Sequence, residues 1–148
     1  MKRLFLALCF CCFASATQAG PDSYALLLGS KHLGSSEFNE VNPGLFATWE
    51  RKRSALSLGA YLNSHKRLSI SATSYRPLAR WRTGTAGLFG GIALYPENGR
   101  SLKTRLVGDV IFLGGVQITQ GAFFAQIVPL TDRDSKGLLA FGLTFKAP

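Results

Sequence analysis

The stretch Leu68-Ser69-Ile70-Ser71-Ala72-Thr73-Ser74 places Leu, Ile and Ala at successive even positions and Ser, Ser and Thr at odd ones. A period of two is the side-chain period of a strand, whereas a helix would gather every third or fourth residue on one face. Upstream, Leu56, Leu58, Ala60 and Leu62 alternate with Ser57, Gly59 and Tyr61. Downstream, Ala86, Leu88, Gly90, Ile92 and Leu94 alternate with Gly87, Phe89, Gly91 and Ala93. The last such run sets Leu139, Phe141, Leu143 and Phe145 against Leu138, Ala140, Gly142 and Thr144. One face is large and aliphatic; the other is mostly small. A soluble barrel would fill its interior with the large residues and charge its outer face. Here the charges cluster between the runs, at Arg51-Lys52-Arg53, Lys66-Arg67, Arg76 through Arg82 and Arg100 through Arg105. The better reading is therefore large residues outward and small ones inward, with charge confined to the connections. That puts Gly91 and Ala93 on the inner face and Ile92 on the outer one.

The same alternation locates strands near residues 24–32, 44–51, 54–63, 68–75, 85–95, 109–118, 121–129 and 138–146. Eight tilted strands of about ten residues need about 80 residues, which a chain of 148 supplies with room for its connections. The fold class this defines is all-β: an eight-stranded antiparallel up-and-down transmembrane β-barrel, in one domain. The connection after Tyr95, Pro96 to roughly Gly108, is the longest. A composition 47% hydrophobic with 16 Gly and 11 Phe excludes a disordered chain. No apolar run reaches the ~18 residues of a spanning helix.

Residues 1–19 read as a signal peptide. Lys2 and Arg3 precede an apolar run from Leu4 to Ala14, and Thr17-Gln18-Ala19 offers a cleavage site, as does Ala14-Ser15-Ala16. Cutting after Ala19 leaves residues 20–148 as the barrel and removes Cys9, Cys11 and Cys12, the only three cysteines. The exported protein then has no disulfide and no Cys nucleophile. Its charge remains basic: of the chain's 17 Lys and Arg, two (Lys2 and Arg3) leave with the signal, and the other 15 stand against 8 Asp and Glu. Basic clusters at strand ends suit barrel rims that face anionic lipid head groups. No helix carries a basic stripe and no nucleic-acid motif occurs, so nucleic acid is not the expected partner.

The chemistry-bearing residues are few. There is no His, Asp and Glu cluster with metal-ligand spacing, no Gly-x-Ser-x-Gly elbow and no phosphate loop, so neither metal nor cofactor is expected. His32 closes the first strand, and Asn63-Ser64-His65 closes the third. Both strands run in the same direction, so His32 and Ser64 reach the same rim. An imidazole beside a hydroxyl at a lipid-facing rim is sufficient for acyl transfer, with one group to take a proton and another to donate or attack. On their own the two also read as ordinary polar loop residues.

The run His32 … Phe38-Asn39-Glu40 … Pro43-Gly44 … Gly59-x-Tyr61-x-Asn63-Ser64 resembles the outer-membrane lipid A palmitoyltransferase (PagP) family. Tyr75-Arg76-Pro77-Leu78 is similar to that family's aromatic-Arg-Pro-Leu turn. Gln126-x-x-Pro129 and Leu139–Phe145 are similar to its last two strands. The resemblance implies a barrel whose apolar interior holds one acyl chain, taken from a phospholipid donor and passed to a hydroxyl of lipid A in lipopolysaccharide. It implies an outer-membrane location and a monomer. His32 falls on the family's essential His and Ser64 on its essential Ser, which makes His32, Ser64 and Asn63 the candidate catalytic residues. Asn63 stands where better-known members carry Asp, so it implies support by hydrogen bond, not ion pairing. Pro43 and Pro129 match prolines that interrupt strand pairing and open lateral gaps for lipid. Two other readings stand beside this one: a non-enzymatic barrel, and a lipid A deacylase. The deacylase usually carries His before Ser on one strand, and Ser64-His65 has the reverse order.

Overall fold

The computed structural model describes residues 20–34, 39–97, 99, 102–130 and 136–148. The expected signal peptide, residues 1–19, and Phe38 of the family-like motif lie outside the described residues. The chain forms Ser23–Leu33 (β1), Gly44–Glu50 (β2), Ala55–Leu62 (β3), Leu68–Trp81 (β4), Gly84–Leu94 (β5), Arg105–Val107 (β6), Val110–Gln120 (β7), Phe123–Pro129 (β8) and Gly137–Lys146 (β9). Every pairing is antiparallel. β1 pairs with both β2 and β9, and β5 pairs with β7, so eight strands close a barrel with an up-and-down order. The short β6 stands outside that ring and pairs only with the start of β7. At one end the connections are tight, residues 51–54, 82–83 and 121–122; at the other they are longer, 34–43, 63–67, 95–109 and 130–136.

The observed wall bears out the alternation. Leu45, Leu68, Ile70, Leu88, Phe112 and Phe123 point outward and are exposed, while Ala93, Phe89, Ile111 and Ala140 are buried inside. Ile92 is 45% exposed beside Ala93 at 1%. The inner face is not only small, however: Phe46, Tyr61, Tyr75, Phe89 and Phe124 also line the interior. Small residues make the space those rings occupy. Phe46 stacks on Tyr61 at 6.1 Å, and a Cβ on Gly59 would run into the Phe46 ring. The polar inner residues pair with one another. Thr48 and Ser57 share a hydrogen bond of 2.8 Å, Tyr75 reaches Thr85 at 2.8 Å, and Thr85 reaches Thr119 at 2.8 Å. These hydroxyls lie toward the end with the tight turns, where pairing them internally avoids the cost of burying them alone.

Two expectations need correction. β4 does not stop at residue 75 but runs to Trp81, so Arg76 and Arg80 lie inside a strand and charge is not confined to the connections. Pro77 lacks an N–H and would break a regular ladder; the strand passes it through a register shift between Pro77 and Ala79, after which pairing with β5 resumes to Trp81 and Gly84. The 96–108 connection also contains a strand, β6, which turns into β7 through Gly108 at φ +56°, a conformation that glycine adopts without Cβ strain. The other strands begin and end within two residues of expectation.

Candidate active site

His32 reaches the interior because β1 is not regular. Ser23, Ala25 and Leu27 line the cavity, so odd positions face inward at the start of the strand. A register shift against β9 falls between Leu27 and Gly29. Beyond it the even positions are buried, Ser30 at 5% and His32 at 6%, while Leu28 and Leu33 are exposed. An unbroken strand would have turned His32 outward with Tyr24 and Leu26. A bulge that re-aims a side chain beside a site is a known use of this irregularity.

Ser64 sits in the turn between β3 and β4. That turn is tied at its base by Asn63, which is 1% exposed. Asn63 N–H donates to Arg67 O at 2.8 Å, and Lys66 N–H donates back to Asn63 O at 2.9 Å. The Asn63 Oδ1 accepts from the N–H groups of His65 at 2.9 Å and Arg67 at 3.1 Å, and Nδ2 donates to Ser69 Oγ at 3.0 Å. Lys66 adopts φ 59° to complete the turn. The amide bonds within its own turn and to the start of β4, and the contacts it makes hold the Ser64 turn in shape instead of touching His32.

The two remaining candidates meet. Ser64 Oγ stands 3.4 Å from His32 Nε2, long for a strong hydrogen bond but within the range in which an unliganded acid–base pair still tightens on binding. A third side chain joins them that sequence reading missed, Tyr95, one residue past β5. Its hydroxyl accepts the Ser64 N–H at 3.3 Å. Burial pushes its phenol pKa up, with hydrogen bonds from Ser64 opposing that shift, so the phenol is protonated at neutral pH. Asn42 was also missed. It is 3% exposed, accepts from Ser30 Oγ and donates to Leu62 O at 3.1 Å. The signal for both was turn chemistry: Tyr95 precedes Pro96, and Asn42 precedes Pro43-Gly44.

The prolines fall where ladders end. β1 pairs with β2 only through Leu27 and Gly44, so the last part of β1 runs without β2. Residues 39–43 lie there instead: Glu40 O accepts from Ser30 N–H at 2.9 Å, and Pro43 O accepts from Leu62 N–H at 3.0 Å. Lys31 pairs with Glu40 at 2.6 Å across the same place. β7 and β8 pair only from Val116 and Ile127 toward the tight-turn end, and Val128 and Pro129 pair with β9 alone.

Below Ser64 the barrel encloses a cavity of about 570 Å³, inside the ~300–1,000 Å³ range of small-molecule sites. Besides Ser64, Asn63 and Tyr95, its walls include the apolar Leu27, Phe89, Leu113, Phe124, Val128 and Leu138, the hydroxyl-rich layer, and Arg51, Arg80 and Lys146. Gly91 and Ala93, though inward, do not line it. A Cβ on Gly91 would run into the carbonyl of Ala72 in the adjacent strand, so that glycine permits close strand pairing and does not shape the cavity. The arrangement is a closed barrel in which Ser64, 3.4 Å from His32, borders one end of a cavity with both apolar and hydroxyl-bearing walls. No protein-family model matches the chain, and no curated protein is detectably similar to it.

Proposed function

We propose that the protein is an outer-membrane acyltransferase, divergent from but similar to the lipid A palmitoyltransferases, that moves an acyl chain, palmitate, from a phospholipid to a lipid A hydroxyl. The observation that carries this reading is the 3.4 Å approach of Ser64 Oγ to His32 Nε2 at the head of the apolar pocket. In the reaction the acceptor's hydroxyl oxygen bonds to the acyl carbonyl carbon as its proton passes to His32 Nε2. The ester C–O bond of the donor then breaks, and the same proton moves to the departing lysophospholipid oxygen. Ser64 supplies the hydroxyl beside the reacting carbonyl, and Asn63 holds the turn that presents it. The apolar pocket takes the acyl chain and keeps water from the ester.

Membrane placement is supported by the outer face. A soluble domain rarely exposes a contiguous apolar patch beyond a few hundred Å², yet large aliphatic and aromatic residues stand exposed on every barrel strand, β3 included through Leu62 at 37%. Short turns at one end and longer connections at the other are also the usual asymmetry of outer-membrane barrels. A deacylase would need the same two groups on one strand, but here His32 lies on β1 and Ser64 in the turn between β3 and β4. The test is a reconstitution with purified protein, a phospholipid carrying a labelled acyl chain, and lipid A. Label arriving on lipid A supports transfer; label released as free fatty acid, or loss of acyl mass from lipid A, points to hydrolysis; no turnover points to a barrel without enzymatic activity.

A further inference from the structure

We propose that Tyr95 is a positioning residue of the His32–Ser64 site, holding the Ser64 turn at its working distance from His32. The inference rests on the acyl-transfer reading and adds a residue to it.

β1 and β3 are not neighbours, because β2 lies between them. The β1–β2 ladder ends at Leu27 and Gly44, well before His32. Sheet hydrogen bonds therefore do not set the separation of His32 from Ser64. Asn63 shapes the turn internally, but every bond it makes stays within residues 63–69. Something outside the turn must place it.

Two contacts do so, from opposite sides. From the β1–β2 connection, Asn39 N–H donates to Ser64 O at 3.2 Å. From the β5–β6 connection, Tyr95 receives the Ser64 N–H at 3.3 Å and also interacts with the Ser64 side chain. Tyr95 is itself anchored: its N–H donates to Asp109 O at 2.8 Å and its carbonyl accepts from Gly99 N–H at 2.8 Å. Its ring meets His65 edge-on at 6.0 Å, and Arg67 pairs with Glu97 at 2.8 Å along the same seam. A neutral phenol suits this position. It accepts from the Ser64 backbone and brings no charge into a pocket with apolar walls.

Tyr95→Phe is the test, because it keeps the ring and its contact with His65 and removes one oxygen. Misplacing a reacting group by about 1 Å costs up to ~100-fold in rate. The expected result is a fall in kcat of roughly 10- to 100-fold with little change in KM, and no added loss when the change is made in Ser64→Ala, since the two would act as a unit. Wild-type kcat in Tyr95→Phe, in a protein that His32→Ala inactivates, overturns the Tyr95 proposal alone. If His32→Ala and Ser64→Ala both keep activity, the site assignment fails instead, and if the wild-type protein shows no transfer, the acyl-transfer reading fails. Amide exchange then still tests the tie: faster exchange at Ser64 in Tyr95→Phe supports it, and unchanged exchange overturns it.

Discussion

His32 Nε2, on β1, and Ser64 Oγ, in the turn that joins β3 to β4, lie 3.4 Å apart although β1 pairs with neither of those strands. Three local devices make that approach: the bulge that turns His32 inward, the Asn63-tied turn that offers Ser64, and Tyr95 behind it. Each can be removed without dismantling the barrel, and that makes the arrangement testable one part at a time.

The bulge gives a paired deletion test. Removing Leu28 takes out the extra residue, leaves β1 regular and keeps Ser30 and His32 facing inward. Removing Lys31 instead shifts His32 by one position and turns it to the outer face. Acyl addition should survive the first deletion and fall by at least about 100-fold in the second, as expected when a general base is withdrawn. Comparison of labelled-acyl transfer by the two refolded proteins decides it; equal activity would mean that the bulge does not orient His32.

Asn63 invites a different expectation from one drawn on sequence alone, where a carboxylate there would strengthen a pairing with His32. Its side chain instead accepts from two backbone N–H groups and meets Ser69. Asn63→Asp keeps these acceptors, and Ser69 can donate to the second oxygen, so turnover should stay near wild type without a gain. Asn63→Ala strands buried donors and should cost about 1–3 kcal/mol, read as a lower unfolding midpoint together with reduced turnover.

The cavity assignment rests on which inward residues border it. Ala140 lines the pocket and is 7% exposed, so Ala140→Met should fill apolar space and reduce transfer from long-chain donors more than from short ones. Ile92→Ala, on the outer face, should leave donor preference unchanged. Gly91→Met, which the alternation alone would place in the cavity, should instead disturb the β4–β5 ladder, because Gly91 pairs with Thr73 and a side chain there meets the Ala72 carbonyl. A Gly91→Met protein that folds normally and shows shortened donor preference would reverse that assignment.

The membrane reading has a direct check. The protein should fractionate with outer membranes and migrate faster on gels when unboiled, as closed barrels do. Recovery in the soluble periplasmic fraction without detergent would contradict it.

The fold was legible because a period of two survives single mismatches: Leu56–Leu62, Leu68–Ser74 and Ala86–Leu94 each point the same way. What alternation cannot show is a place where it is broken on purpose. The bulge near Leu28 and the shift at Pro77 change which parity faces inward, and both came from register against a partner strand, information that one strand does not carry. Read strictly by parity, His32 belongs outside. Its placement at the site came from the family-like motif and from both strands ending at one rim. Tyr95 was invisible for a related reason: it stands at a strand's end and acts through a turn 31 residues away in sequence. β6 was hidden because three residues are too few to show a period.

Mass spectrometry of lipid A from cells producing wild-type or His32→Ala protein, at equal levels of folded barrel, tests the central claim most directly. His32 sits at the end of β1, and its truncation leaves the β1–β9 ladder intact. The account predicts a lipid A species heavier by one acyl chain in wild-type cells and its absence in His32→Ala cells. Persistence of that species in His32→Ala cells, or no heavier species with the wild-type protein, would contradict it.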